Sequence, residues 1–149
     1  MNSVGIVALV AVLIAATAFG LWRRRVDGKF SKSAAPTSKP EPALSAEQLG
    51  APLGRDATIV EFSSAFCAPC RATRRVLDRV VTDVEGVALV EIDAEEQLEL
   101  TRELSVMRTP TVLILDAAGV VRHRASGQPR YVDVVGALGA VVPSQIKPA

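Results

Sequence analysis

Cysteine and histidine are scarce in this chain, which holds two cysteines and one histidine among its 149 residues. Because Cys67 and Cys70 are three positions apart, no thiols remain for a wider disulfide framework. A structural zinc site needs about four ligands, and only the distant His123 could add to the two thiols. A purely structural disulfide closing so short a loop would remove little entropy from the unfolded chain. We therefore expect the pair to serve redox chemistry of its own.

The chain also lacks an excess of charge and is poor in aromatic residues. Its formal net charge is +1, and aromatic side chains make up 4% of the residues. Since nucleic-acid-binding surfaces combine clustered basic residues with aromatic side chains, we expect no nucleic-acid partner. The hydrophobic content of 49% is sufficient for the core of one domain.

Charged side chains are absent from the first 22 residues. The stretch from Val4 to Trp22 would span about 28 Å as a helix, close to the roughly 30 Å hydrocarbon core of a bilayer. Three arginines follow at 23–25, so the positive-inside tendency places the N-terminus outside and the rest of the chain in the cytoplasm. A signal peptide cleaved near 16–18 is the alternative, but its positive charges should precede the apolar run. We predict a cell-membrane anchor over residues 1–25.

Proline, serine, alanine and lysine dominate residues 26–44. This composition predicts a flexible linker with a root-mean-square reach on the order of 25 Å. A capping box at 45–48 then predicts a short helix at the start of a folded domain over residues 45–149.

Strand and helix patterns alternate through that domain. Strands are predicted at 58–63, 87–93, 111–116 and 119–125, and helices at 68–84, 95–106 and 130–142. The strands at 87–93 and 111–116 are apolar enough to be central in the sheet, whereas 119–125 is expected at an edge, with His123 in solvent. A βαβ unit followed by a ββα unit indicates an α/β fold with a mixed central sheet flanked by helices.

The two cysteines lie where the first of these strands passes into a helix. Unpaired N–H groups and the helix dipole at a helix N-terminus favour a thiolate at Cys67. Cys70 lies one turn deeper and can close a disulfide with Cys67. Arg71 could add positive potential, although the row of arginines at 71, 75 and 79 is equally typical of a solvated face.

Residues 55–142 resemble the thioredoxin family in the arrangement and spacing of their motifs. The strand 60–62 followed by Cys67-Ala68-Pro69-Cys70-Arg71 is similar to the family's strand and active-site helix. The segment 106–111 is similar to the segment that carries the family's cis-proline, and Ser126–Gly127 to the glycine after the last strand. The anchor and linker are similar to those of membrane-bound thioredoxin-like proteins of bacteria. The resemblance implies a thioredoxin-like fold preceded by one transmembrane helix.

The resemblance also implies a role for each matching residue. Cys67 would attack a substrate disulfide, and Cys70 would resolve the mixed disulfide that forms. Glu61 would be the buried acid that accepts the proton of Cys70. Substrate would be bound by Phe66, Pro69, Thr109 and the cis-proline Pro110, with the backbone of Thr109 pairing to an extended peptide.

Four positions depart from the family pattern. Phe66 and Ser63 replace two tryptophans, Ala68 replaces the glycine between the cysteines, and Leu89 replaces a lysine near the buried acid. The family's first strand is also hard to find before residue 58. The nucleophile and the proline are unchanged.

Taken together, these features predict a membrane-tethered protein disulfide reductase with no bound cofactor and no metal. Pro69 between the cysteines is more typical of reductases than of oxidants or isomerases. We expect a monomer whose partners are protein disulfides and a protein electron donor such as a thioredoxin reductase. Two alternatives stay open: an extracytoplasmic thiol oxidoreductase, for example one that keeps haem-attachment cysteines reduced, and a non-catalytic binding module on a thioredoxin fold.

Overall fold

The computed structural model describes residues 3–26, 28–32 and 43–142. Its helices are α1 (Ser3–Val26), α2 (Ala46–Leu49), α3 (Ala68–Asp83), α4 (Leu98–Glu103) and α5 (Tyr131–Val141). Its strands are β1 (Ser31–Lys32), β2 (Ala57–Ser63), β3 (Val87–Asp93), β4 (Thr111–Asp116) and β5 (Val121–Ser126). The predicted α/β fold with a mixed sheet is confirmed, and so are the bounds of β3 and β4.

The strands form one sheet in the order β1-β5-β4-β2-β3. β2 runs parallel to β3 and antiparallel to β4, and β4 and β5 form an antiparallel hairpin. Because Phe62 pairs with Thr111 and Thr111 with Ser126, the end of β2, the start of β4 and the end of β5 meet at one end of the sheet. We call this end, which carries both cysteines, the catalytic end.

Helices cover both faces of the sheet. On one face α3 and α5 enclose a core with members that include Ile59, Leu77, Ile114 and Leu138. On the other face α2 and α4 enclose a second core with members that include Leu49, Phe62, Leu100 and Leu113. Side chains alternate between faces along a strand, so neighbouring residues of β2 contribute to different cores.

Three sequence predictions about the sheet are wrong. β3 is an edge strand among the described residues and is not central, because it pairs with β2 alone. β5 is not at the edge, because the short β1 joins the sheet beside it: Ser31 and Lys32 pair with Arg124 and His123. His123 is 8% exposed and not in solvent, since its face of β5 is turned toward the α3–α5 core.

The capping box at the start of the domain is confirmed. The Ser45 hydroxyl accepts a hydrogen bond from the Gln48 N–H, and the Gln48 side chain accepts one from the Ser45 N–H. Helix α4 is shorter than predicted because Asp93 holds a turn before it. The Asp93 carboxylate accepts from the Glu95 N–H, and the Asp93 carbonyl accepts from the Gln97 N–H.

The segment predicted to be a flexible linker is attached to the domain at both of its described parts. The Gly28 N–H donates to the Ser126 carbonyl at 3.0 Å, and the Leu44 N–H donates to the Gly119 carbonyl at 2.9 Å. Leu44 is 1% exposed. The linker prediction is therefore wrong for residues 28–32 and 43–44, and the stretch 33–42 lies outside the described residues.

Helix α1 is long and apolar enough over Gly5–Trp22 to cross a membrane. None of that window is buried against the rest of the protein. Membrane anchors and signal sequences share this length and composition. The helix is therefore compatible with both interpretations of the N-terminal segment, a retained anchor and a cleaved signal peptide.

Candidate active site

The cysteine pair lies at the start of α3, directly after β2. The chain leaves β2 at Ser63, turns through 64–66, and begins α3 at Ala68 with Cys67 as its N-cap. Cys67 and Cys70 are joined by a disulfide, and their Cα atoms are 5.2 Å apart. Pro69 sits in the first turn, where its missing N–H breaks no helical hydrogen bond.

The sulfur of Cys67 is positioned to carry negative charge. The Cys70 N–H donates to Cys67 Sγ at 3.1 Å, so the sulfur occupies the place of an N-cap acceptor. An N–H group and the positive end of a helix dipole both stabilise a thiolate once the disulfide is reduced.

The two sulfurs differ in access. Cys67 is partly exposed and follows Phe66, which is 97% exposed, whereas Cys70 is 4% exposed. A substrate can therefore approach Cys67, while Cys70 offers it little surface.

We expect the reduced protein to be alkylated first at Cys67. At a limiting amount of iodoacetamide near neutral pH, peptide mapping should find at least about tenfold more modification at Cys67, because it combines access with thiolate stabilisation. Labelling under denaturing conditions, where both cysteines should react alike, is the control. Preferential modification of Cys70 would reverse the two roles.

The loop at 106–110 lies against the turn that leads to Cys67. The Ser64 and Thr109 hydroxyls are 3.3 Å apart, which joins the two loops across the catalytic end. The Thr109–Pro110 peptide bond is cis, as predicted. The Pro110 carbonyl accepts from the Gly127 N–H at 2.8 Å, so the predicted glycine after the last strand contacts this loop.

Glu61 is fully buried in β2, as predicted. It lies on the face of the strand that α3 covers, together with Ala57 and Ile59. Neither carboxylate oxygen has a hydrogen-bond partner among the described residues. The pKa of Glu61 is raised to about 8, chiefly by desolvation and to a smaller extent by the nearby charge of Glu91, while Arg74 opposes the shift. A carboxyl group with such a pKa can hold or release a proton near neutral pH.

Glu91 is a second acidic residue near the cysteines, and the motifs do not indicate it. Glu91 pairs in register with Glu61 across β2 and β3, accepts from the Ser63 hydroxyl at 2.8 Å, and forms an ion pair with Arg74 at 2.7 Å. Two sequence signals could have indicated this ion pair. Arg74 follows Cys70 by four residues, and Glu91 is an acidic residue within an apolar strand.

These groups line an open cleft of about 380 Å³ next to the disulfide. The cleft is lined by both cysteines and by Ser63, Arg71, Arg74, Glu91 and Asp93, among others. Ser63 stands where the family has a tryptophan, so a small side chain faces the cleft at this position. Arg71, Arg75 and Arg79 are all exposed, as a solvated face requires.

The remaining predicted residues divide by location. Phe66, Pro69, Thr109 and Pro110 all lie in the two loops or first helical turn at the catalytic end. His123 is separated from β2 by β4 and does not line the cleft beside the cysteines. Among residues 3–26, 28–32 and 43–142, no group of three or more His, Cys, Asp or Glu could hold a metal ion.

A disulfide at a helix N-terminus, beside a cis-proline loop and above a buried carboxyl group, defines a thiol–disulfide redox protein. A family model described as thioredoxin matches residues 47–134, which is more than half of the chain. The chain therefore belongs to the thioredoxin family.

Known relatives agree with this assignment. The chain is 26% identical to a thioredoxin of Mycoplasma pneumoniae over 46% of this chain and 67% of that protein. It is also 26% identical to a thioredoxin of Alicyclobacillus acidocaldarius over 52% of this chain and 74% of that protein. The aligned part spans only 33% of the chloroplastic thioredoxin M3 of Oryza sativa.

Among solved structures, the chain is similar to chloroplastic thioredoxin z, with a TM-score of 0.56 and 27% identity over 66% of this chain and 90% of that chain. A thioredoxin variant from Halobacterium salinarum gives a TM-score of 0.55 at 18% identity, covering 63% of this chain and 80% of that chain. The second similarity supports the fold alone.

Proposed function

We propose that this protein is a membrane-tethered protein disulfide reductase that uses Cys67 and Cys70. The observation that carries the proposal is the difference between the two sulfurs: Cys67 is accessible and accepts a backbone N–H, whereas Cys70 is buried one turn away. This arrangement suits a nucleophile and a resolving thiol.

The reaction balances in two exchanges. The Cys67 thiolate attacks one sulfur of the substrate disulfide, forms a mixed disulfide, and releases the other substrate sulfur as a thiolate. Cys70 then loses its proton and attacks Cys67 Sγ, which forms the Cys67–Cys70 disulfide and releases the second substrate thiolate. The substrate gains two electrons and this protein loses two. A protein dithiol or a thioredoxin reductase returns them.

Glu61 is proposed as the acceptor of the Cys70 proton. It is buried on the side of β2 that α3 covers, and α3 carries Cys70. The raised pKa of Glu61, about 8, matches a group that takes up a proton at neutral pH and gives it up again. Thr109, next to Pro110, is proposed to pair through its backbone with an extended substrate segment.

Reduction of insulin disulfides tests the redox proposal. The full chain in mild detergent, supplied with dithiothreitol, should reduce insulin at least about tenfold faster than dithiothreitol alone, since thiolate stabilisation speeds exchange. Cys67→Ser, which keeps the size of the side chain, should lose this acceleration. A folded wild-type chain with no acceleration would instead favour the non-catalytic binding module.

The anchor and the side of the membrane are proposed from α1 and the arginines that follow it. In intact cells an impermeant maleimide should leave Cys67 unlabelled, because the positive-inside tendency places the domain in the cytoplasm. The same reagent after permeabilisation should label it, which is the control. Labelling in intact cells would place the domain outside and favour the extracytoplasmic oxidoreductase.

A further inference from the structure

The N-terminal segment joins the domain at the catalytic end of the sheet. The Gly28 N–H donates to the carbonyl of Ser126, the last residue of β5. Arg108, two residues before Pro110, donates to the same carbonyl at 2.6 Å. From Gly28 the chain continues into β1, which runs along β5 away from the cysteines. The attachment point is therefore beside the cis-proline loop.

This attachment is tight. Gly28 has a φ of 79° and is buried, and a Cβ atom at this position would collide with the backbone carbonyl of Gln128. Only glycine fits such a close approach in this conformation.

The attachment also leaves little chain between α1 and the domain. Helix α1 continues to Val26, and two Cα–Cα steps of 3.80 Å lead from Val26 to Gly28. Helix residues after Trp22 rise about 1.5 Å each, and neighbouring strands lie about 4.8 Å apart. Adding these distances along the path from Trp22 through Gly28 and across the sheet to β2 places the disulfide within about 40 Å of Trp22. A linker of 19 residues would have allowed far more freedom of orientation.

The most exposed large apolar side chains of the domain lie at this same end. Phe66, just before Cys67, is 97% exposed, and Met107, in the cis-proline loop, is 90% exposed. Such side chains are suited to contact an apolar partner next to the reacting sulfurs.

We propose that the catalytic end is held facing the bilayer, and that the substrates are disulfides of membrane-embedded proteins close to the membrane surface. The proposal rests on the proposed reductase function and anchor. The exchange is the one given above, with a juxtamembrane disulfide as the electron acceptor and a protein dithiol as the donor.

A reconstituted system with a defined reporter tests this geometry. The full chain, reduced beforehand and freed of reductant, shares phospholipid vesicles with a transmembrane peptide that carries one disulfide loop. In the near reporter the loop follows the membrane span directly, and in the far reporter a helical (EAAAK)10 spacer holds it about 75 Å away. In a single turnover, the near reporter should be reduced at least about tenfold faster, because only it lies within reach.

Two insertions of equal length distinguish a domain that is held close to α1 from one that is only tethered to it. Twenty Gly/Ser residues between positions 27 and 28 add a root-mean-square reach of about 25 Å and free the domain from α1, so the near-to-far ratio should fall at least about threefold. The same insertion between 36 and 37 leaves the short connection from α1 to Gly28 unchanged and should keep the full ratio.

Insulin reduction in detergent keeps the two proposals distinguishable. All three chains should reduce insulin equally, which shows that the dithiol works independently of membrane geometry. Equal rates on the near and far reporters by a chain active on insulin would overturn the membrane-facing site alone. Loss of the chain from the membrane fraction in alkaline carbonate would overturn it as well. Absence of insulin reduction by wild type would overturn the reductase function.

Discussion

Cys70→Ser is expected to hold substrates in a covalent complex through Cys67. Attack on a substrate disulfide needs only the Cys67 thiolate, but escape from the mixed disulfide needs a second thiol. In the wild type that thiol is held in place, with the Cα atoms of the two cysteines 5.2 Å apart. Since positioned groups react at far higher effective concentration than free ones, the mixed disulfide should persist at least about 100-fold longer in the variant.

Non-reducing electrophoresis of membranes from cells that produce the full-length variant measures this effect. Bands above the monomer should appear with Cys70→Ser, disappear on reduction, and be missing with Cys67→Ser and with the double variant. Substrates with cytoplasmic cysteines are expected, given the proposed topology. Exported proteins or haem-attachment apoproteins in the bands would contradict that topology, and bands that persist without Cys67 would contradict the assignment of the nucleophile.

The elements of this fold could be predicted from local patterns, whereas their neighbours in the sheet could not. The β-branched run of β2 and the helical period of α3 indicate their structure directly, and the capping box marks α2. The sheet order depends on long-range pairing, and the pattern of β3 is as apolar as that of a central strand although it lies at an edge. Apolar content reports burial of a strand's faces and not the number of its strand neighbours.

The site shows the same division. Cys67, Cys70, Glu61 and Pro110 follow from a motif with fixed spacing, and the structure brings the loops that carry them together. Arg74 and Glu91 are separated by 17 residues in sequence and meet only through packing of α3 on β3. Likewise, Gly28 lies in a stretch with the composition of a linker, and its fixed position comes from a backbone contact with β5.

Glu61→Gln is expected to remove most of the pH dependence of stability between pH 5 and 8. The pKa of Glu61 is about 8 in the folded chain and 4.5 at its ordinary value, chiefly because burial disfavours the carboxylate and Glu91 adds repulsion. Between these values the folded chain holds a proton that the unfolded chain has lost. The contribution of Glu61 to the free energy of unfolding is therefore fully present below pH 4.5, falls as the pH rises, and levels off above pH 8.

The full linkage slope would be about 1.4 kcal/mol per pH unit, but Glu91 and Arg74 are partly in solvent, which screens their effect. We expect roughly 1 kcal/mol per pH unit and on the order of 3 kcal/mol in total.

Guanidinium unfolding of the oxidised chain at pH 5, 6, 7 and 8 measures this pH dependence. The oxidised chain is used because the cysteines of a disulfide do not titrate. The wild-type curve should descend relative to Glu61→Gln, while Glu103→Gln, an exposed control, should follow the wild type. Glu91→Gln should end the descent at lower pH, because it removes a charge that raises the pKa of Glu61. Parallel curves for wild type and Glu61→Gln would mean that the pKa of Glu61 is not raised in the folded chain, and a carboxylate with an ordinary pKa is too weak a base to hold the proton of Cys70 at neutral pH.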